Sequence, residues 1–291
     1  MILLFGGGGQ LGQELQRSAR MQGIGLRALE RSQADIADAG AVESALVEIK
    51  PLLCVNAAAY TKVDLAETEV EAARRSNEVG PGVIAAACAK AGIPMVHVST
   101  DYVFDGRKVG PYVETDPISP VGQYARTKAA GEGAVRRNLS RHLILRTGWV
   151  YGEFGRNFLK TMVRLAQERD EVRIVADQHG CPTSTRDLAR AILGSAEPLI
   201  AGDPVWGTYH FVGAGETTWH GFAERIFAAQ SRYTGRRPRA VPITTAEYPT
   251  PAFRPANSVL DSTRFATAFG IRARPWVDEA DVVTAAVVKS L

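Results

Sequence analysis

Cysteine is scarce in this chain. Three cysteines (Cys54, Cys88 and Cys181) stand far apart among 291 residues. That number and spacing offer neither a disulfide framework nor a metal-ligand pattern, and suit a reducing compartment. A long apolar run is lacking too, which excludes a membrane-spanning helix. The opening Met1-Ile-Leu-Leu-Phe5 is apolar but short. Glycines follow at once, then Gln10 and Glu14, with no basic leader, so it reads as a first strand and not a signal peptide. A cytoplasmic location is expected. Charge of one sign is also missing. A net charge of +3 is too small to argue for nucleic acid or a membrane surface. The densest basic stretch, 232–239, is short and reads as a solvated loop.

What is present is ordinary in bulk and informative in order. Hydrophobic content of 45% and charged content of 22% fit a water-soluble globular protein. The length allows one large domain or two modest ones, with a core that needs no staples. In the first half, apolar runs at 2–5, 25–29, 52–58, 95–99 and 142–147 read as strands. They alternate with helical patterns at 12–21, 41–50, 67–90 and 123–138, the third with a break expected at Gly80-Pro81-Gly82. Continuous apolar strands between helices indicate a parallel sheet covered on both faces, a doubly wound α/β fold of Rossmann type. After Tyr151 the rhythm changes. Helices are expected at 158–168 and 185–193, the latter capped by Thr183 or Ser184, with a short strand at 173–176. Clustered prolines make 236–257 read as mostly irregular. The division expected is a dinucleotide-binding domain over 1–150 and a smaller substrate lobe over 151–291, with some segments returning to the first domain.

The turn after the first strand holds Gly6, Gly7, Gly8, Gly9, Gln10, Leu11 and Gly12. It fits G-x-x-G-x-x-G (Gly6, Gly9, Gly12) or G-x-G-x-x-G (Gly7, Gly9, Gly12). In either register, glycines allow a pyrophosphate to approach the backbone and rest on a helix N-terminus. The second strand ends at Glu30 and Arg31, which send opposite messages. A carboxylate would hold an adenosine ribose, and an arginine would receive a 2′-phosphate. NADPH and NADH both stay open, with Arg31 favouring the first. Asp35 and Ile36 are placed near the adenine. Ala58, Ala59, Tyr60 and Thr61 follow Asn56 at the end of a buried strand, where small side chains let a cofactor lie against the backbone. Asp64 and Glu67 come next; capping of a helix start explains Glu67 best.

Tyr124 and Lys128 lie four residues apart on a helical pattern and so share a face. A phenol has a pKa near ~10 and an adjacent ammonium should lower it, readying the pair to pass a proton to or from a reacting oxygen. Ser99, Thr100 and Asp101 end a strand upstream, where α/β enzymes place their chemistry. Thr100 can bind a carbonyl oxygen, which completes a set of binder, proton donor and tuner.

With the segments 146–151, 177–183 and 248–258, these residues resemble the extended short-chain dehydrogenase/reductase family over nearly the whole chain. They are most similar to its reductases of dTDP-4-keto-6-deoxy sugars. That resemblance implies NADPH (or NADH) as cofactor. It also implies reduction of the C4 ketone of dTDP-4-dehydro-6-deoxy-L-mannose to dTDP-L-rhamnose, a precursor of cell-surface polysaccharide such as lipopolysaccharide O-antigen. It makes Tyr124 the proton donor, Lys128 its tuner and a binder of the nicotinamide ribose, and Thr100, beside Asp101, the group that polarises the carbonyl. Trp149 would pack on the sugar. Gln178, Gly180 and Thr183 would line the nucleotide pocket, and Arg254, helped by Asn157, would meet the diphosphate. Some members bridge a homodimer through magnesium held by glutamates. Glu14 matches one of these, but Arg186 stands where a second is expected, so no metal is carried over; a metal-free homodimer or a monomer fits. Two other readings use the same residues: a sugar-nucleotide epimerase that retains its cofactor, and a non-catalytic nucleotide-binding subunit.

Overall fold

In the computed structural model, which describes residues 1–202 and 206–290, six parallel strands form the central sheet. These are β1 (Ile2–Phe5), β2 (Leu26–Leu29), β3 (Leu53–Asn56), β4 (Met95–Thr100), β5 (His142–Thr147) and a sixth strand, Gly207–His210. Their spatial order is sixth, β5, β4, β3, β1, β2. Neighbouring side chains on a strand point to opposite faces, so each apolar run feeds two cores. Ile2 and Leu4 of β1 join Leu15 of helix α1 (Gln10–Met21) and Leu188 and Ile192 of the helix Thr185–Gly194. Leu3 and Phe5 join Val42 of helix α2 (Ala39–Ile49), Ile84 of the helix Gly80–Ala91 and Val135 of the helix Gln123–Asn138. The strand order reverses between β1 and β3, and a parallel sheet opens its ligand crevice past the carboxyl ends at such a point.

A third core lies in the second half, built from Tyr151, Leu159, Val172, Phe222 and Val283. Here Glu171–Val175 pairs in parallel with Arg239–Ile243. That strand falls within the stretch expected to be irregular. Pro242 is tolerated because a two-stranded sheet is all edge, so its missing donor costs no central ladder bond. The helix 185–194 is capped by Ser184, whose hydroxyl accepts from the Asp187 N–H. It packs against one face of the central sheet, whose edge the sixth strand extends beside β5. Residues 203–205 and 291 of the expected second lobe lie outside the described residues.

The break expected at 80–82 is displaced. Backbone helix runs from Val70 through a wide π turn, Arg75–Val79, into Gly80–Ala91. Pro81 sits in the first turn of the last segment, where its missing N–H is least costly, and the irregularity falls just before it. No helix among the described residues is long and apolar enough to cross a membrane.

Candidate active site

The crevice begins at the glycine turn. Gly6 has φ +88°, and a Cβ there would strike the backbone of Ala57 and Ala58. A Cβ at Gly12 would strike the Gly6 carbonyl. These two glycines let β1, α1 and the end of β3 close on one another. Gly9 caps α1 without any side-chain acceptor, leaving the first helical N–H groups to an anionic ligand. Gln10 reaches across to the Val150 carbonyl at 3.3 Å. Leu11, expected at the cofactor, turns its side chain into the core, leaving only backbone for that task.

Asn56, fully buried, closes β3 by accepting from the Ala58 N–H (3.0 Å) and meeting His97 Nδ1 (3.2 Å). Ala58 and Ala59 are half-buried and Thr61 exposed, along the same crevice wall. Tyr60 is fixed by its backbone: its N–H donates to Asn77 Oδ1 (2.8 Å) and its carbonyl accepts from Asn77 Nδ2 (3.1 Å). Asn77 also reaches Thr127 at 3.2 Å. The π turn thereby straps the Tyr60 loop to the helix carrying Tyr124 and Lys128. Glu67 does act as a cap, though of that remote helix: its carboxylate accepts from the Gln123 N–H at 2.8 Å.

Thr100 ends β4 and donates to Asp101 Oδ1 at 2.9 Å, while accepting from the Tyr102 N–H at 3.2 Å. Both residues are buried. Burial pushes the Asp101 carboxyl up to about 6, against hydrogen bonds from Thr100 and Ser258. Its Oδ2 has no hydrogen-bond partner among the described residues. The phenol of Tyr124, half-buried on the facing helix, is pushed up to about 12 by burial; a hydrogen bond with Thr100 opposes this. That corrects the expectation of a lowered phenol: desolvation dominates, and the Asp101 charge adds to it. The result still suits a donor, since a phenol with a raised pKa keeps its proton at neutral pH.

Lys128 is almost wholly buried and donates from Nζ to the Val98 carbonyl at 2.7 Å. Burial lowers it to about 8, and Glu132, one turn on, holds it up. Glu132 is itself fixed by Ser99 (2.7 Å) and by both ends of the Arg146 fork (2.9 and 2.8 Å). The Arg146 charge helps hold this carboxyl down to about 2 despite its burial.

The opposite wall comes from the second half. Trp149 adopts φ +49°, a left-handed backbone that costs a bulky residue energy. Its ring stacks on Trp219 at 3.5 Å between centroids and 4° between planes, and Nε1 donates to Ser258 at 3.1 Å. A Cβ at Gly180 would enter that ring, so only glycine fits beneath it. Gln178 is held between Thr245 (3.0 Å) and Trp219 Nε1 (3.2 Å). Arg254 pairs with Asp64 at 2.9 Å, and its buried Nη1 has no partner among the described residues. That free donor suits a phosphate oxygen.

Several expected contacts are already spent within the protein. Thr183 is fully buried, donating to the Cys181 carbonyl and accepting from the Gly213 N–H. Asn157 caps the helix Phe158–Glu168, and its amide donates to the Gly152 carbonyl. Ile36 packs its side chain under Gly80 in the core. Glu30 and Arg31 are exposed, and Asp35 is half-buried between arginines. Sequence reasoning missed Asn77, Glu132 and Trp219, none of which belongs to a local motif, and gave Ser258, the last residue of the segment 248–258, no role of its own. A cleft of about 460 Å³ lined by Cys181, Val212, Glu216, Asp261 and Arg272 contains none of these residues.

The glycine cradle fits a dinucleotide, but the acidic residues do not fit a metal. Both oxygens of the buried Glu14 face Arg17 (2.7 and 3.2 Å), which also grips Glu153 at 2.8 Å, and Arg186 stands 3.9 Å from Glu153. Arginines already neutralise these carboxylates, and no metal-holding cluster occurs among the described residues.

Comparison with known proteins agrees in sequence and in fold. A dTDP-4-dehydrorhamnose reductase of Burkholderia thailandensis is 45% identical, covering 94% of this chain and 95% of the relative. The crystal structure of a dTDP-4-dehydrorhamnose reductase from Clostridium acetobutylicum is 36% identical, with a TM-score of 0.92 over 99% of both chains. That of the Bacillus anthracis reductase in complex with NADP is 33% identical, with a TM-score of 0.90 over 98% of both. The model of the RmlD substrate binding domain matches residues 1–288, and the chain belongs to that family.

Proposed function

We propose that this protein is a dTDP-4-dehydrorhamnose reductase, using NADPH or NADH to convert the C4 ketone of dTDP-4-dehydro-6-deoxy-L-mannose into the alcohol of dTDP-L-rhamnose. The product would feed cell-surface polysaccharide, lipopolysaccharide O-antigen included, and the work would be done in the cytoplasm, without magnesium. The observation that carries this reading is Thr100 at the carboxyl end of β4 with the Tyr124 ring set edge-on to Tyr102, two residues on, at 5.8 Å between centroids, together with relatives of that name covering nearly the whole chain.

When bound, a reduced nicotinamide supplies hydride. The chain's own residues do the rest. Thr100 and Tyr124 hold the ketone oxygen, and Tyr124 gives it a proton as charge develops. Lys128 contributes positive charge beneath the cofactor ribose. Arg254 offers its free Nη1 to the diphosphate. Trp149 gives the sugar a flat apolar face. Residues 1–150 would serve mainly the cofactor and 151–291 mainly the sugar nucleotide. Incubation with the keto sugar and NADPH should consume reduced nicotinamide and yield dTDP-L-rhamnose by NMR. An isomerised keto sugar or hexose with no net cofactor consumption would instead mark an epimerase, and no turnover at all a non-catalytic subunit.

A further inference from the structure

A single carboxylate holds the segment that carries Arg254. Residues 249–255 include Pro249, Pro251 and Pro255, which have no N–H to give. The segment forms neither helix nor strand, and among the described residues it makes no main-chain to main-chain hydrogen bond. Both hydrogen bonds that tie it to the rest of the described chain end on one atom, Asp64 Oδ1. The Ala252 N–H donates to it at 3.2 Å and Arg254 Nη2 at 2.9 Å, across 188 and 190 positions. An aspartate just before a helical turn ordinarily caps that turn. Asp64 precedes the short turn Leu65–Glu67 and makes no such cap. Its carboxylate is given to the second half of the chain instead.

The arrangement has little value for stability. The Asp64 side chain is 41% exposed, and ion pairs open to water contribute little to folding. Its position gives it another use. The same short turn carries Glu67, which accepts from the Gln123 N–H at 2.8 Å and so caps the helix of Tyr124 and Lys128. Burial pushes the Tyr102 phenol well up; the Arg254 charge opposes this and the Asp64 charge adds to it, so the pair sits close to Tyr102. The Tyr102 ring in turn lies edge-on to that of Tyr124. Arg254 is thus gripped beside the catalytic wall by one end of its fork, while its buried Nη1 has no partner among the described residues.

We infer that Asp64 is a positioning residue, which latches the strap 249–255 to the first half of the chain and so presents the free arm of Arg254 to the diphosphate of the sugar nucleotide. The inference rests on the function proposed above and adds a residue that acts through another. A strap without main-chain hydrogen bonds would otherwise have to be ordered when the ligand arrives. Holding it beforehand removes that cost from binding. A guanidinium gripped at one nitrogen also keeps its other donors in a fixed plane, which suits phosphate oxygens.

The test uses the full chain, with dTDP and NADPH as calorimetric probes and the keto sugar in steady-state kinetics. Asp64→Ala should weaken dTDP about tenfold, the scale of one charge-assisted hydrogen bond, and leave NADPH within about a factor of two. KM for the sugar nucleotide should rise by a similar factor while kcat holds within about twofold. Asp64→Asn, which keeps an acceptor and loses the charge, should fall between the wild type and Asp64→Ala. Arg254→Ala should weaken dTDP at least as much as Asp64→Ala does. Adding Asp64→Ala to it should cost no more than about twofold further, since the latch then has no arginine to present. Wild-type or tighter dTDP binding by Asp64→Ala would overturn the proposal. So would a full tenfold loss that persists in the Arg254→Ala background, on the order of the effect in the wild type, or NADPH weakening in step with dTDP. A wild-type protein that binds no dTDP and reduces no keto sugar would remove the sugar-nucleotide reading itself.

Discussion

The two walls of the cleft are built on different principles. The Thr100–Tyr124–Lys128 wall stands on a strand end and a helix, and each group is tied down behind: Lys128 by the Val98 carbonyl, the helix by Asn77 and Glu67, the strand by Glu132 and Arg146. The Trp149–Trp219 wall stands on turns and a helix start, with a left-handed residue and a ring stack that a ligand could compete with. Reaction chemistry calls for fixed donors, whereas recognition of a sugar tolerates adjustment. A damaged first wall should therefore cost turnover or folding, and a damaged second wall should cost binding.

The largest effect is expected at Tyr124, the proposed proton donor. Tyr124→Phe should lower kcat by about 10²- to 10⁴-fold, the usual worth of a general acid. NADPH binding, followed by its fluorescence, should be retained. Near-normal turnover in that variant would dissolve the distinction between the walls.

Next comes the buried support. Glu132→Ala leaves Arg146 buried beside no carboxylate and should cost about 3–5 kcal/mol in urea unfolding. The pH dependence follows from the same pair. The Glu132 carboxyl is held at about 2, below its ordinary 4.5, so its stabilisation is complete above pH 4.5 and is lost as pH falls toward 2. Wild-type stability should decline in that window, and the Ala variant should lack this component. Parallel acid curves for the two proteins would contradict it.

A smaller effect is expected at the second wall. Trp219→Ala removes the stacking partner of Trp149 and should raise KM for the sugar nucleotide about three- to tenfold, leaving kcat within a factor of two or so. A collapse of kcat instead would mean that Trp149 positions the reacting carbon. The mildest test is the alkaline limb of kcat/KM. Lys128 is lowered to about 8 from its ordinary 10.5, so its charge fades as pH rises through 8, and activity should fall with it. A profile flat to pH 9 would separate Lys128 from catalysis.

The same contrast explains what could be read in the sequence. The glycine turn, the helical spacing of Tyr124 and Lys128, and Thr100 at a strand end are local patterns, legible from a few adjacent residues. Ser258 and Trp219 reach Trp149 across 109 and 70 positions, and no periodicity announces such a meeting. The sixth strand is four residues long, begins with glycine and lacks an apolar run, so it gave no strand signal. The phenol's shift went the other way because spacing reveals a cation but not the depth at which a hydroxyl is buried. Thr183 and Ile36 lie in motifs near the crevice, yet their side chains turn inward, an orientation that depends on packing and not on proximity in sequence.

That sixth strand carries a consequence for how the molecule is made. Among the described residues, the outer edge of β5 is met by residues 207–211, so a chain emerging from the ribosome has synthesised about seven-tenths of its length before the sheet can be sealed. Until then β5 carries a row of unmet peptide groups, a template for mispairing with another nascent copy. Cutting the gene at the apparent boundary near residue 150 would make that exposure permanent. The amino-terminal piece should aggregate rather than persist as a free-standing nucleotide binder.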